Sequence, residues 1–220
     1  MFTGIIQATG VVQRVEARGK ARFITIKTDP KIARCVPEGG SVSVDGVCLT
    51  RLILGRAQGL ALTFELLDST LKRTTLGTLR VGDIVNIEPA MLLGQPIGGH
   101  LISGHVDDVG RVRKVDAKRR TQYVVIEAPK KLMRYLVPQG SVVVNGVSLT
   151  IVAVGNTGRL SLGRAQGLAS RYRSWFSIAL TSYTLEHTNL CEIKAGATVN
   201  IEVDMLAKYL EKFFDSRIKY

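Results

Sequence analysis

The chain has 220 residues, 45% of them hydrophobic and 6% aromatic, with a formal net charge of +12. That apolar share lies far from a disordered composition, and no run approaches the roughly 18 apolar residues of a membrane-spanning helix. The positive charge invites a nucleic-acid reading, but its sources (Arg111, Arg113 and Lys114, then Lys118 to Arg120, then Arg159, Arg171 and Arg173) are scattered, without aromatic runs or zinc-finger spacing. Neither nucleic acid nor membrane is therefore expected as a partner. No basic segment precedes the apolar N-terminus, so a secretory signal is not expected. Cys35, Cys48 and Cys191 lack CxxC spacing, and reduced thiols in a cytoplasm are the expectation.

In chain order, MFTGIIQATGVVQRV at the N-terminus returns in outline as LISGHVDDVGRVRKV from Leu101. The strand-like FITIK (Phe23 to Lys27) returns as YVVIE (Tyr123 to Glu127). SVSVDGVCLT (Ser41 to Thr50) returns as SVVVNGVSLT (Ser141 to Thr150), and VGDIVNIE (Val81 to Glu88) as AGATVNIE (Ala195 to Glu202). A period of roughly 100 residues exceeds the about 20–50 of solenoid units, so this is one domain made twice. Asp45-Gly46 and Asn145-Gly146, set between alternating apolar residues, predict two-residue hairpins. Short strands broken by turns predict a small antiparallel barrel or sandwich in each half. GQPIGG, Gly94 to Gly99, marks the boundary. The octapeptide LGRAQGLA occurs at Leu54 to Ala61 and again at Leu162 to Ala169, and Arg159 to Ser174 reads as a surface insertion. After Asp204, the spacing of Leu206, Leu210 and Phe213 or Phe214 predicts one helix of about four turns, which either caps the second barrel or makes an oligomer contact.

The hairpin register sets Val44 opposite Val47, Ser43 opposite Cys48 and Ser41 opposite Thr50. Val42, Val44, Val47 and Leu49 then face a core. The other face is Ser41, Ser43, Cys48 and Thr50, repeated as Ser141, Val143, Ser148 and Thr150. Small hydroxyls and a thiol suit a strand that lies against a ligand. Cys48 and Ser148 are candidate nucleophiles. His100 and His105, in GGHLISGHVDD, are candidate proton carriers. Their odd spacing points them to opposite faces of an extended strand, so a metal site with Asp107 and Asp108 is not favoured. Ile5 stands where His105 would be in the first repeat, so the chemistry is expected mainly in one half. His187 is a weaker candidate. There is no P-loop, GxGxxG, GxSxG or HExxH.

These residues closely resemble the riboflavin synthase family, of the trimeric alpha-chain type. MFTGII, VDGVCLT, VNGVSLT, IGGHLISGHVD, the pair TLKRTTL and TLEHTNL, and the tail VNIEVDMLAKYLEKF carry the resemblance over nearly the whole chain. It implies an all-β fold of two tandem six-stranded Greek-key barrels, residues 1–97 and 98–203, with a C-terminal helix at 204–220 that assembles a homotrimer. The implied reaction is the dismutation of two 6,7-dimethyl-8-ribityllumazine molecules by transfer of a four-carbon unit. Its products are riboflavin and 5-amino-6-(D-ribitylamino)uracil, and no metal or redox cofactor takes part. Association with lumazine synthase is a further implied partnership.

By motif match the catalytic residues would be Cys48, His100, His105, Ser148 and Phe2. The N-terminal pocket would take Gly4, Ile5 and Ile6, then Cys48, Leu49 and Thr50, then Glu65, Leu66, Leu67, Asp68, Ser69 and Thr70. The C-terminal pocket would take Gly104, His105 and Val106, then Ser148, Leu149 and Thr150, then Ala179, Leu180, Thr181, Ser182, Tyr183 and Thr184. Gln139, ahead of the second hairpin, stands where the family commonly has a lysine and is included. A non-catalytic lumazine-binding antenna protein of the same fold is the alternative, which tends to lose the catalytic side chains retained here.

Overall fold

Each half is organised around its hairpin. The computed structural model describes residues 1–19, 21–52, 61–118, 121–156 and 174–217. Asp45 and Gly46 both take positive φ (46° and 81°), as do Asn145 and Gly146 (46° and 82°). Two positive φ values match the twist of the flanking strands, which is why Asp or Asn followed by Gly sits at both tips. The predicted pairing holds: Ser43 opposes Cys48 and Val44 opposes Val47, and Val143 and Val144 oppose Ser148 and Val147.

Among the described residues the first half holds β1 (Ala8–Arg18), β2 (Ala21–Thr28), β3 (Ser41–Val44), β4 (Val47–Thr50), β5 (Ala61–Leu66) and β6 (Ile84–Pro89). The second holds β7 (Asp108–Lys118), β8 (Thr121–Glu127), β9 (Ser141–Val144), β10 (Val147–Asn156), β11 (Ser174–Leu180) and β12 (Thr198–Val203). The first sheet runs β4-β3-β6-β1-β2-β5, and the second closes in the equivalent order, β10-β11-β8-β7-β12-β9. Among the described residues, a bridge between Arg51 and Phe64, with Leu52 N–H donating to Thr63 O at 2.9 Å, links the two edges of the first sheet. The fold is therefore the expected pair of six-stranded barrels. Bulges at Val12/Arg14 and Val112/Lys114 bend β1 and β7 at matching places, as closure of so small a barrel requires. Val42, Val44, Ile24, Ile26, Phe64 and Ile87 fill the first barrel, and Val142, Val144, Val124, Ile126, Phe176 and Ile201 the second. Among the described residues three short α-helices, α1 (Pro30–Cys35), α2 (Asp68–Arg73) and α3 (Ser182–His187), and the longer α4 (Met205–Arg217) flank the sheets. The octapeptide copies, apart from Ala61, and the insertion, apart from Ser174, lie outside the described residues.

The barrels meet tip to tip. A Cβ on Gly46 would stand 2.8 Å from the Gly146 nitrogen, and one on Gly146 equally close to the Gly46 nitrogen, so neither tip admits a side chain there. Around this point Asn86 N–H donates to Asp45 Oδ1 (2.8 Å) and Asn200 N–H to Asn145 Oδ1 (2.8 Å). Asn189 Nδ2 also donates to Asp45 Oδ1 (2.9 Å), and Asn200 Nδ2 donates to the Asp45 carbonyl (2.8 Å). The backbone donors match between the halves, but one tip carries a carboxyl where the other carries an amide, and Asn189, whose side chain joins the network, stands where the first half has Thr75. Burial pushes the Asp45 carboxyl up to about 7, against the hydrogen bonds from Asn86 and Asn189.

Helix α4 docks on the second barrel by its polar face. Lys208 pairs with Asp107 at 2.7 Å, and Glu211 takes Tyr135 and Arg134. Leu206, Tyr209, Leu210 and Phe214 on other faces are each more than half exposed.

Candidate functional site

The two halves exchange arms. Residues 1–7 leave the first barrel and cross to the second, while residues 101–107 cross the other way. The arms meet where Phe2 and Ile102 exchange backbone hydrogen bonds of 2.8 and 3.0 Å. Beyond that point Gly4 O accepts from Ser148 N–H (2.9 Å), and Gly104 O accepts from Cys48 N–H (2.8 Å). Ile6 packs on the core of the second barrel and Val106 on that of the first. This corrects the expected grouping: Gly104, His105 and Val106 belong with Cys48, Leu49 and Thr50, and Gly4, Ile5 and Ile6 belong with Ser148, Leu149 and Thr150. The reason is local. Ser43–Cys48 and Val143–Ser148 are the non-hydrogen-bonded pairs of their hairpins, so the Cys48 and Ser148 amides point outward and need an acceptor. Glycine supplies it because Gly4 and Gly104 sit at φ 76° and 79°, and a Cβ on either would fall within 2.7 Å of the facing hairpin.

Each arm crosses a slot between two splaying strands. Extending the Arg51–Phe64 register would oppose Thr50 to Glu65 and Cys48 to Leu67, yet among the described residues β4 and β5 make no ladder there. In the second barrel β10 and β11 pair from Ile151 and Ile178 upward, leaving Ser148 and Thr150 facing Ala179 and Thr181 across the same gap. Thr50, Glu65 and Leu67 are exposed in one slot, and Thr150 and Thr181 in the other. Asp68 opens α2 and binds Lys72 at 2.7 Å, with Ser69 exposed and Thr70 half-buried behind it. Ser182 and Thr184 occupy the matching turns of α3, where Tyr183 stacks on His187 at 4.0 Å. Gln139 is exposed in the turn before β9 at φ 65°, a conformation its counterpart Gly39 adopts without strain.

The histidines separate, one to each slot. His100 Nδ1 lies 2.7 Å from Ser148 Oγ, and its Nε2 is buried without a partner. Burial lowers its pKa, opposed in part by the charge of Asp204, so the ring is neutral at neutral pH. His105 follows Gly104 and is exposed beside the Cys48 hairpin. The candidate groups thus lie in both halves: His100 with the Ser148 hairpin, and His105 next to the glycine that binds the Cys48 hairpin. Asp107 and Asp108 are engaged elsewhere, Asp107 with the Val203 amide and Lys208, and Asp108 with Lys131.

Four expected contact residues face inward. Leu66 and Leu180 have no exposed surface, and Leu49 and Leu149 pack in the barrel cores with little exposed. Phe2, expected among the catalytic groups, is fully buried with Ile102 and Val143 beneath Cys48. Its side chain has no exposed surface. Conversely, Glu88 and Glu202 went unassigned in the sequence. Glu88 accepts from Thr3 N–H and Oγ1 (both 2.7 Å) and from Gly4 N–H (2.9 Å). Glu202 accepts from Ser103 N–H (2.8 Å), Ser103 Oγ (2.6 Å) and Gly104 N–H (3.0 Å). The repeated VNIE was their signal: each acid alternates with the core residues of its strand yet is buried on the opposite face, where it needs partners.

A lumazine binding domain model matches residues 3–90 and again 103–204. Riboflavin synthase of Mycobacterium tuberculosis is 37% identical over 217 residues, covering 98% of this chain and 99% of its own. The chain belongs to the riboflavin synthase family. Members from Bacillus subtilis and Actinobacillus pleuropneumoniae are 35% and 33% identical, each covering 97% of this chain and 89% of theirs. Among solved structures, LumP complexed with 6,7-dimethyl-8-(1'-D-ribityl) lumazine superposes with a TM-score of 0.76 at 23% identity, covering 92% of this chain and 99% of its own. LumP complexed with riboflavin gives 0.78 at 24%, with the same coverage. At that identity the likeness is one of fold.

Proposed function

We propose that the protein is a riboflavin synthase, moving a four-carbon unit between two molecules of 6,7-dimethyl-8-ribityllumazine to give riboflavin and 5-amino-6-(D-ribitylamino)uracil. The observation that carries this reading is the pair of equivalent slots, one with His100 on the Ser148 hydroxyl and the other with His105 next to the glycine bound to Cys48. A reaction that consumes two copies of one molecule needs two seats of one shape. One seat is Cys48 to Thr50, Glu65 to Thr70 and His105; the other is Ser148 to Thr150, Ala179 to Thr184, Ile5, Gln139 and His100. Holding the two rings face to face and antiparallel is the largest rate factor, because a positioned pair reaches effective molarities of about 10⁵ M and above. The ring methyl at position seven is the carbon acid. His105, Thr150 and the Ser148–His100 pair relay its proton, and the Cys48 thiol or Ser148 hydroxyl adds transiently to the donor ring and leaves as the four-carbon unit departs. The step uses no metal or redox cofactor.

The test is direct: incubation with the dimethyl lumazine is expected to produce riboflavin absorbance. Binding without product would favour the antenna reading, and absence of binding would defeat both.

The proposed assembly is a cytoplasmic homotrimer joined through α4, in which the first barrel of one chain faces the second barrel of the next. Residues 1–97 and 98–203 form its two lumazine-binding units, and lumazine synthase is the proposed partner. Supporting the assembly, Leu210 and Phe214 are 56% and 62% exposed on a helix whose polar face is already docked. The double variant Leu210→Glu/Phe214→Glu is expected to sediment as a single chain. A trimer persisting in that variant would remove α4 from the interface.

A further inference from the structure

We propose that Glu88 and Glu202 are positioning residues that act crosswise, each setting the geometry of the slot on the barrel to which it does not belong. The inference rests on the lumazine-site reading only for its ligand readout.

Glu202 lies on β12 of the second barrel, opposite Val143. Its three hydrogen bonds hold Ser103 and Gly104, and the Gly104 carbonyl then takes the Cys48 amide of the first barrel. Glu88 lies on β6 of the first barrel, opposite Ser43. Its three hydrogen bonds hold Thr3 and Gly4, and the Gly4 carbonyl takes the Ser148 amide of the second barrel. The two relays have the same sequence of atoms. His105 and Ile5 each come one residue after the clamped glycine, and their own amides donate to the clamped hydroxyls, Ser103 Oγ at 3.2 Å and Thr3 Oγ1 at 3.3 Å. The backbone position of His105, next to the glycine bound to the Cys48 amide, is therefore fixed by a carboxylate rooted in the opposite barrel.

The chemistry requires a carboxylate. An ionised carboxyl presents acceptors at both oxygens, and both are used, one by an amide and a hydroxyl and the other by the glycine amide. Glutamine keeps one acceptor and turns an NH₂ against the remaining donor. Burial raises both pKa values, and the hydrogen bonds from the arm hold them down. The arm and the charge thus stabilise each other.

Two measurements on the full chain test this. Backbone amide exchange reads the Cys48 and Ser148 N–H groups separately. Glu202→Gln and the milder Ser103→Ala are expected to speed exchange at Cys48 about tenfold, the worth of one charge-assisted hydrogen bond, and to leave Ser148 unchanged. Glu88→Gln and Thr3→Ala are expected to do the reverse. Ser103→Thr, which keeps the hydroxyl that Thr3 supplies in the other arm, is expected to restore wild-type exchange. Titration with riboflavin, followed at the amides of the two hairpins, is expected to show weakened binding at the first hairpin in the Glu202 and Ser103 variants. Effects confined to the variant's own barrel, or equal at both hairpins, would overturn the proposal. A wild-type chain whose hairpins ignore riboflavin would defeat the lumazine-site reading, while the exchange pattern would still decide the crosswise relay.

Discussion

Ser148→Ala is expected to lower kcat about a hundredfold or more, the usual worth of a positioned proton carrier, with little change in KM. Ser148 Oγ stands 2.7 Å from His100 Nδ1, and burial keeps that imidazole neutral, the form able to take a hydroxyl proton. If Nδ1 accepts from Ser148, the buried Nε2 carries the ring proton and has no partner. A buried donor left alone is destabilising by about 1–3 kcal/mol, so the Ser148–His100 pair is held at a cost to the fold. His100→Ala is expected to show the same loss. The Ser148→Ala/His100→Ala pair is expected to be no worse than either single change, because the two act as a unit. Ser148→Ala combined with His105→Ala, which touches the other slot, is expected to compound. Because the His100 pKa is lowered, the acid limb of kcat should fall below the ordinary histidine value of about 6.5. Single-turnover kinetics across pH measure all of this, and undiminished turnover in the Ser148→Ala/His105→Ala double variant would sink the assignment.

Asp45→Asn is expected to stabilise the fold at pH 8 by on the order of 2–4 kcal/mol and to flatten its pH dependence. Asp45 is buried at the seam, where its Oδ1 already serves the two donors that an amide oxygen could serve. Asn145 Oδ1 takes the matching backbone amide, that of Asn200, at the other tip without a charge. Between the ordinary aspartate value, about 4, and about 7, the folded state keeps a proton that the unfolded chain has released. The stability associated with that protonated acid is complete below the window and is lost as pH rises through it. The charge of Asp83 opposes ionisation further. Glu88 and Glu202, also raised by burial, leave a smaller slope of the same sign in the variant. Guanidinium titrations at pH 5 and pH 8, at one protein concentration, check it. An unchanged difference between the two pH values in Asp45→Asn would show that the slope arises elsewhere.

Local chemistry was legible in the sequence wherever it repeats. Asp45-Gly46 and Asn145-Gly146 announced both hairpins, and alternation placed Val42, Val44 and Leu49 inside because a strand has a period of two. The apolar spacing of Leu206, Leu210 and Phe214 announced α4, though not that Lys208 and Glu211 would be the residues facing the barrel. The crossing of the arms was not legible, because MFTGII and LISGHV carry the same pattern whichever hairpin they cover. Only the outward amides of Cys48 and Ser148 decide it, and those are visible once the barrels are set tip to tip. For the same reason His100 and His105 read as neighbours, when in space they serve opposite slots. Leu66 and Leu180 were drawn into the site by lying in matched motifs, although their alternation with Glu65 and Ala179 sends them inward.

The exchange of arms also bears on ancestry. A single barrel with its own arm, kept in this geometry, has an open slot it cannot cover and an arm with nowhere to lie. Two copies facing each other satisfy both needs, since each lends what the other lacks. Joining the copies in one chain removes the need for them to find each other and frees them to diverge. Ile5 against His105, and Cys48 against Ser148, are differences that a pair of identical chains could never hold.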